Sequence, residues 1–324
     1  LKAIESLKNK KLRVPFVLAG TFGSEQGFAG AVQLVRRKKT SAKIALIGGP
    51  SNLRALHAAK GAATVEIHIP FSTSELNYRT MHDKAESSSQ SKMFMNKGGE
   101  EGNTIVKMIS YLAQLPSGIA VLNMDGGASK NTKPSYASLE FDLADSIDQT
   151  VSQKLASIMR SVRALEEEFK TCYDPNFDPP FPTLNIGMVR TRQEYILFLA
   201  TCQVPPSVEQ VRYEKWMTDL KKNCEDVGAV FRITEYIQPY RTALNSPIVK
   251  AVIEGLGELN LDYSPAASAK STEANIFGRF GMECVLLGAG NFTEAAQIPN
   301  ESVSIEDLEK SIRLYEKVLA RICL

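Results

Sequence analysis

Val14-Pro15-Phe16-Val17-Leu18-Ala19 runs into Thr21-Phe22-Gly23-Ser24-Glu25-Gln26-Gly27-Phe28-Ala29-Gly30 and then into the helix-patterned AVQLVRRKK at 31–39. An uncharged apolar run, a glycine-punctuated turn and an amphipathic segment read as strand, turn and helix. A second apolar run, KIALI at 43–47, stops at Gly48-Gly49-Pro50. Short, uniformly apolar runs separated by a helix are the pattern of strands buried on both faces, because each crossover lays a helix on the sheet. The expectation is an α/β protein whose base is a mainly parallel sheet with helices on both faces.

Residues 61–241 change character. TVEIHI at 64–69 reads as a strand, and the Ser- and Lys-rich stretch 72–97 as a loop. Residues 103–115 form a helix with apolar positions three and four apart, and 118–124 with 136–143 a hairpin. An amphipathic helix at 146–170 leads to the proline-rich break YDPNFDPPFP at 173–182. Strands at 183–189 and 195–201, a helix at 207–226 and a strand at 229–235 follow. Strand, helix, two strands, helix, strand is the order of a ferredoxin-like α+β unit, an open sheet covered on one face. Residues 242–324 return to the first style, with helices at 246–259 and 304–322 and a buried strand at 284–287. Ser304, three residues before Asp307, is placed to cap the last helix. The division expected is a base domain of 1–60 plus 242–324 with 61–241 inserted.

Composition narrows the function classes. The chain has 324 residues, enough for two cores, with 44% hydrophobic and 23% charged side chains. With 38 Lys and Arg against 36 Asp and Glu, the formal charge is +2, which favours neither nucleic acid nor an anionic membrane as partner. The five cysteines, at 172, 202, 224, 284 and 323, show no CxxC spacing and read as reduced thiols of a cytoplasmic protein. No apolar run approaches the ~20 residues of a membrane span. The chain opens at Leu1 inside a helical pattern extending to residue 12, so its N-terminal part is read as missing.

Four segments, in order over nearly the whole chain, together carry a resemblance. They are Ser24-Glu25-Gln26-Gly27-Phe28-Ala29-Gly30-Ala31; Gly48-Gly49-Pro50-Ser51 with Lys60-Gly61; Gly126-Gly127-Ala128-Ser129-Lys130-Asn131-Thr132-Lys133-Pro134; and Ser271-Thr272-Glu273-Ala274-Asn275 with Gly288-Ala289-Gly290 and Gln297-Ile298-Pro299-Asn300-Glu301. The chain resembles the di-zinc exopeptidases related to acetylornithine deacetylase, succinyl-diaminopimelate desuccinylase and carboxypeptidase G. The helix at 146–170 and the strand at 183–191 are most similar to the Xaa-His dipeptidase branch. The resemblance implies a zinc-binding base, an inserted lid through which relatives dimerise, and a cleft for a peptide or amino-acid-like molecule.

It also implies what each slot should hold. Two zinc ions need imidazole and carboxylate ligands, and a Glu beside them acts as general base. The general-base slot falls on Ser24, whose hydroxyl has no useful basicity. The neighbouring metal-ligand Glu is kept as Glu25, where a purely structural turn role competes with it. The second carboxylate slot is Gly49, and the distal histidine slot is Gln297. A lid histidine of relatives falls at Gln90 and a substrate-binding arginine at Gln203, while Asn131 remains, as a ligand-binding residue or as a turn stabiliser. His57, His68 and His82 have no metal-ligand spacing and read as structural. Ser24 lacks the GxSxG context of a serine nucleophile. Gly288-Ala289-Gly290 lacks a P-loop lysine, and Arg36-Arg37-Lys38-Lys39 suits a helix C-terminus. The expectation is a homologue without metal or cofactor and without hydrolysis, which binds a small peptide-like ligand and pairs as a homodimer through the lid. The alternative is an active zinc exopeptidase, dipeptidase or N-acyl-amino-acid amidohydrolase, completed by ligands from an N-terminal region.

Overall fold

The apolar run at 44–47 forms β1 (Ile44–Gly48), which lies parallel to β12 (Glu283–Leu287) with Ile44 opposite Glu283 and Gly48 opposite Leu287. The computed structural model describes residues 1–24, 27–37, 41–85, 91–96, 102–115, 118–143, 150–290 and 302–324. β12 also meets β2 (Leu56–Ala59), which pairs with β10 (Tyr240–Arg241) and β11 (Ala266–Ser268). The parallel pairing expected of this first sheet holds for β1–β12 and β2–β11. β2 meets β12 and β10 antiparallel; for β10 this follows from the chain leaving the sheet along β2 and re-entering along β10.

Helices cover both faces of the first sheet. On one, α2 (Ala29–Arg36) and α8 (Glu273–Arg279) press Ala31, Val35, Ala274 and Phe277 against Ile47, Leu56, Cys284 and Leu286. On the other, α7 (Pro247–Glu258) and α9 (Ile305–Cys323) pack Ile248, Val252, Leu256, Leu314 and Val318 against Val285 and Leu287. α7 starts where Ser246 accepts from Val249 N and Pro247 needs no donor of its own. Ser304 caps α9 by accepting from Asp307 N at 3.3 Å.

The second sheet comprises β3 (Gly61–Pro70), β4 (Ser91–Asn96), β5 (Ile119–Gly126), β6 (Tyr136–Leu143), β7 (Thr183–Thr191), β8 (Tyr195–Val204) and β9 (Val230–Ile237). Its order is β4-β6-β5-β7-β8-β3-β9, and neighbours are antiparallel throughout. Within it β7-β8-β3-β9, linked by α5 (Val151–Phe169) and α6 (Gln210–Asp226), has the ferredoxin-like arrangement. Thr150 and Gln153 form a capping box at the start of α5, and its buried stripe of Leu155, Ile158, Met159, Val162, Leu165 and Phe169 faces the sheet. α4 (Thr104–Leu112) adds Ile105, Met108, Ile109 and Leu112 to the same core.

Three local expectations are corrected. Residues 14–19 belong to neither sheet, and Val17 and Leu18 are 70% and 62% exposed. A strand needs a ladder partner as well as apolar side chains. Here Arg13 N and Val14 N donate to Cys323 O, and Pro15 has no donor. The stretch 72–97, read as loop, contains α3 (Thr73–Ala85), which includes His82, and strand β4. Ser72 and Glu75 cap α3 reciprocally, Ser72 N donating to the Glu75 carboxylate and Glu75 N to Ser72 Oγ, a Ser-x-x-Glu signature legible in the sequence. The opening helix is one turn, α1 (Lys2–Glu5).

Candidate functional site

In sheets with parallel strands, ligands gather beyond the carboxyl ends of those strands. At that end of β1 and β12 the loops are zipped together. Gly49 N donates to Leu287 O, Asn52 N to Gly290 O and Leu53 N to Gly288 O, while Gly288 N donates to Ser51 Oγ at 3.1 Å. A Cβ on Gly288 would meet Gly49 O at 2.5 Å, so only glycine permits this approach. Gly49, the expected second-carboxylate slot, offers no side chain. A Cβ there would lie 3.2 Å from Leu286 Cδ1, in space the core already uses.

Ser24 is exposed in the turn ahead of α2. That turn closes through Gly30, whose N donates to Phe22 O at 2.8 Å and whose missing Cβ leaves room for the Phe22 backbone. Two carboxylates reach it from distant parts of the chain. Thr21 Oγ1 donates to Glu273 Oε1 at 2.6 Å. From β9, Glu235 Oε1 stands 2.8 Å from where a Gly27 Cβ would be. Glu235 also pairs with Lys130 Nζ at 3.2 Å and accepts from Thr64 Oγ1 at 3.4 Å, and Lys130 Nζ donates to Thr64 Oγ1 at 2.7 Å. Lys130 lies inside the glycine turn at 126–134, but nothing in the sequence marks Glu235, whose partner lies 105 positions away.

Asn131 follows Lys130 and is exposed, with its Oδ1 accepting from Thr201 Oγ1 at 3.2 Å, a hydroxyl shared with Lys130 O. Gln203 Oε1 accepts from Thr183 Oγ1 at 3.5 Å across β7 and β8. Glu25, Gln90 and Gln297 lie outside the described residues. His57 is buried, with Nδ1 2.8 Å from Thr242 O, and burial pushes its imidazole below the ordinary value against the pull of that carbonyl. His68 stacks on Tyr195 at 4.6 Å and lies 3.5 Å from Glu66.

Among the described residues, no three His, Cys, Asp or Glu side chains gather to hold a metal. Ser24 and Gly49 do not fit the ligand chemistry of a di-zinc centre, the first lacking a carboxylate and the second any donor atom. What the described site does offer is a cation, Lys130, and a carboxylate, Glu235, side by side against a glycine turn. No helix among the described residues is long and apolar enough to cross a membrane.

Comparison with known proteins agrees with this architecture. The acetylornithine deacetylase of Myxococcus xanthus is 21% identical over 329 residues, spanning 98% of this chain and 68% of that protein. The same enzyme of Buchnera aphidicola is 22% identical over 335 residues, spanning 100% of this chain and 68% of its own length. Among solved structures, the aminoacylhistidine dipeptidase of Vibrio alginolyticus superposes with a TM-score of 0.62 at 12% identity, covering 91% of this chain and 69% of that one. Aminopeptidase PepT of Bacillus cereus gives 0.50 at 14% identity, covering 99% and 68%. Residues 1–321 match peptidase family M20/M25/M40, and the chain therefore belongs to that family of metallopeptidases.

Proposed function

We propose that this metallopeptidase homologue has lost zinc binding and hydrolysis and acts as a binding or regulatory protein for a peptide or amino-acid-like molecule. The observation that carries the reading is Gly49. At the carboxyl end of β1, where the family pattern calls for a carboxylate, the chain has no side chain, and Leu286 packs against the space one would enter. Ser24, in the general-base slot, is an exposed hydroxyl in a turn and cannot accept a proton at neutral pH. The Lys130–Glu235 pair supports the ligand class, since a zwitterion presents one charge to each partner. The insert 61–241 is assigned as the lid that carries this pair and joins two copies.

The test is metal content together with turnover. After incubation with Zn²⁺ and desalting, the protein is expected to retain no stoichiometric zinc and to leave dipeptides and N-acyl amino acids intact. Two retained equivalents with hydrolysis would sink the reading. A second reading, an active zinc-dependent dipeptidase or N-acyl-amino-acid amidohydrolase, is favoured by one observation: Glu235 and Glu273 bring two carboxylates to the turn that holds Ser24.

A further inference from the structure

The chain passes between the sheets twice, outward at Lys60–Gly61 and back at Gln238–Pro239, and a network unconnected with Ser24, Gly49 or Lys130 grips both crossings. The crossings touch: a Cβ on Gly61 would meet Ile237 O and Pro239 N at 2.5 Å. The Asn275 amide, 1% exposed at the start of α8, donates to Lys60 O at 3.1 Å and to Gln238 O at 2.8 Å, so one side chain ties the outgoing strand to the returning one. Its own oxygen accepts from Thr272 N at 2.7 Å, which fixes the amide's orientation. Ser271 Oγ adds a second bond to Lys60 O.

The Lys60 side chain is fully buried. A buried ammonium persists only when its hydrogen bonds are met. Lys60 Nζ donates to Pro179 O at 2.8 Å and to Phe181 O at 3.0 Å, and stands 5.8 Å from the Phe177 ring centroid. On the returning strand, the Arg241 guanidinium donates to the buried Asp174 carboxylate at 2.5 Å. Asp174 is set by Asn176 Nδ2 at 3.0 Å, and its own N donates to Pro180 O at 2.6 Å. All these loop groups lie within 173–182. Prolines at 175, 179, 180 and 182 leave this segment few backbone donors for a ladder, yet its carbonyls remain free to accept from cations.

We propose that residues 173–182 are a latch that clamps both crossings and holds the two sheets at one angle, with Lys60, Arg241 and Asn275 as its positioning residues. Each crossing places a cation on the same loop, and the amide of Asn275 joins the crossings to each other. The latch sets how the Lys130–Glu235 pair stands against Gly27. It stands or falls independently of whether the site holds metal, since none of its residues occupies a metal slot.

The experiment uses the full chain with spin labels at Lys222→Cys on α6 and Glu309→Cys on α9. Both positions are exposed, whereas the five native cysteines are buried. The wild-type background is expected to give one narrow distance distribution by pulsed electron paramagnetic resonance. Lys60→Met and Arg241→Gln are each expected to broaden it about twofold or to add a second population, as removing charge-assisted bonds frees another arrangement. An apolar replacement of a buried charge is often neutral for stability, so Lys60→Met separates a latch from a merely stabilising residue. If Lys60→Met does not fold, the half-exposed Arg241→Gln decides. A broad wild-type distribution, or an unchanged one in a folded variant, overturns the proposal.

Discussion

At the crossings between the sheets, Lys60, Asn275, Arg241 and Asp174 all have close polar partners. Ahead of α2 and at the carboxyl end of β1, the positions the family resemblance marks for chemistry hold an exposed hydroxyl, Ser24, and a glycine, Gly49. A fold persists through packing and satisfied polar groups, whereas hydrolysis depends on a few donor atoms at a few positions. The two can therefore come apart within one chain.

The sharpest way to break the contrast is to attack the packing. Ile158→Ala, in the stripe of α5 facing the second sheet, is expected to lower stability by about 2–5 kcal/mol, measured as a shift of the urea midpoint. A loss under about 0.5 kcal/mol, the ordinary range of surface changes, would show that the tight packing of this sheet is not what holds the fold.

The next effect concerns Lys60. Desolvation lowers its ammonium to about 8, against the pull of the Asp178 and Asp174 carboxylates and Cys202. Between that value and the ordinary 10.5, the unfolded chain binds a proton that the folded chain does not. The Lys60 contribution to stability therefore rises with pH across this window, by on the order of 3 kcal/mol. The buried thiols of Cys202, Cys224 and Cys284, pushed up to about 12 by burial, work in the opposite direction above pH 9. The wild-type minus Lys60→Met difference in urea stability isolates the lysine. It is expected to grow between pH 8 and 10.5, and a flat difference would refute the assignment.

The turn ahead of α2 offers a milder perturbation. Gly27 has a φ of 67° and faces Glu235 at 2.8 Å from the absent Cβ. Gly27→Ala is expected to lose about 1–2 kcal/mol through its left-handed backbone, with Glu235 adding to the loss. Ser24→Ala, at an exposed position three residues earlier, should stay within about 0.5 kcal/mol of wild type. Thermal melts of both variants measure this, and equal losses would mean that Ser24 does more than occupy a turn.

Most elements were legible because their signals are local. The 3.6-residue stripe of α5, the caps at Ser246 and Ser304, and the apolar run of β12 each report a preference within a few residues. The exceptions carry either a faint local signal or one that lies far away along the chain. Ser72 and Glu75 announced α3, whereas nothing within 14–19 could reveal that no strand pairs with it. In the site, Ser24 and Gly49 stand out by motif, whereas Glu235 does not.

The α/β character, the glycine turns and the lack of a carboxylate at positions 24 and 49 are written in the chain itself, because they follow from residue type and short spacing. Which strands pair, how Asn275 reaches a carbonyl 215 positions away and how Arg241 finds Asp174 across 67 emerge from the folded chain alone. Such contacts depend on where the chain returns after long loops close, and loop closure depends so weakly on length and composition that it leaves no local pattern to read.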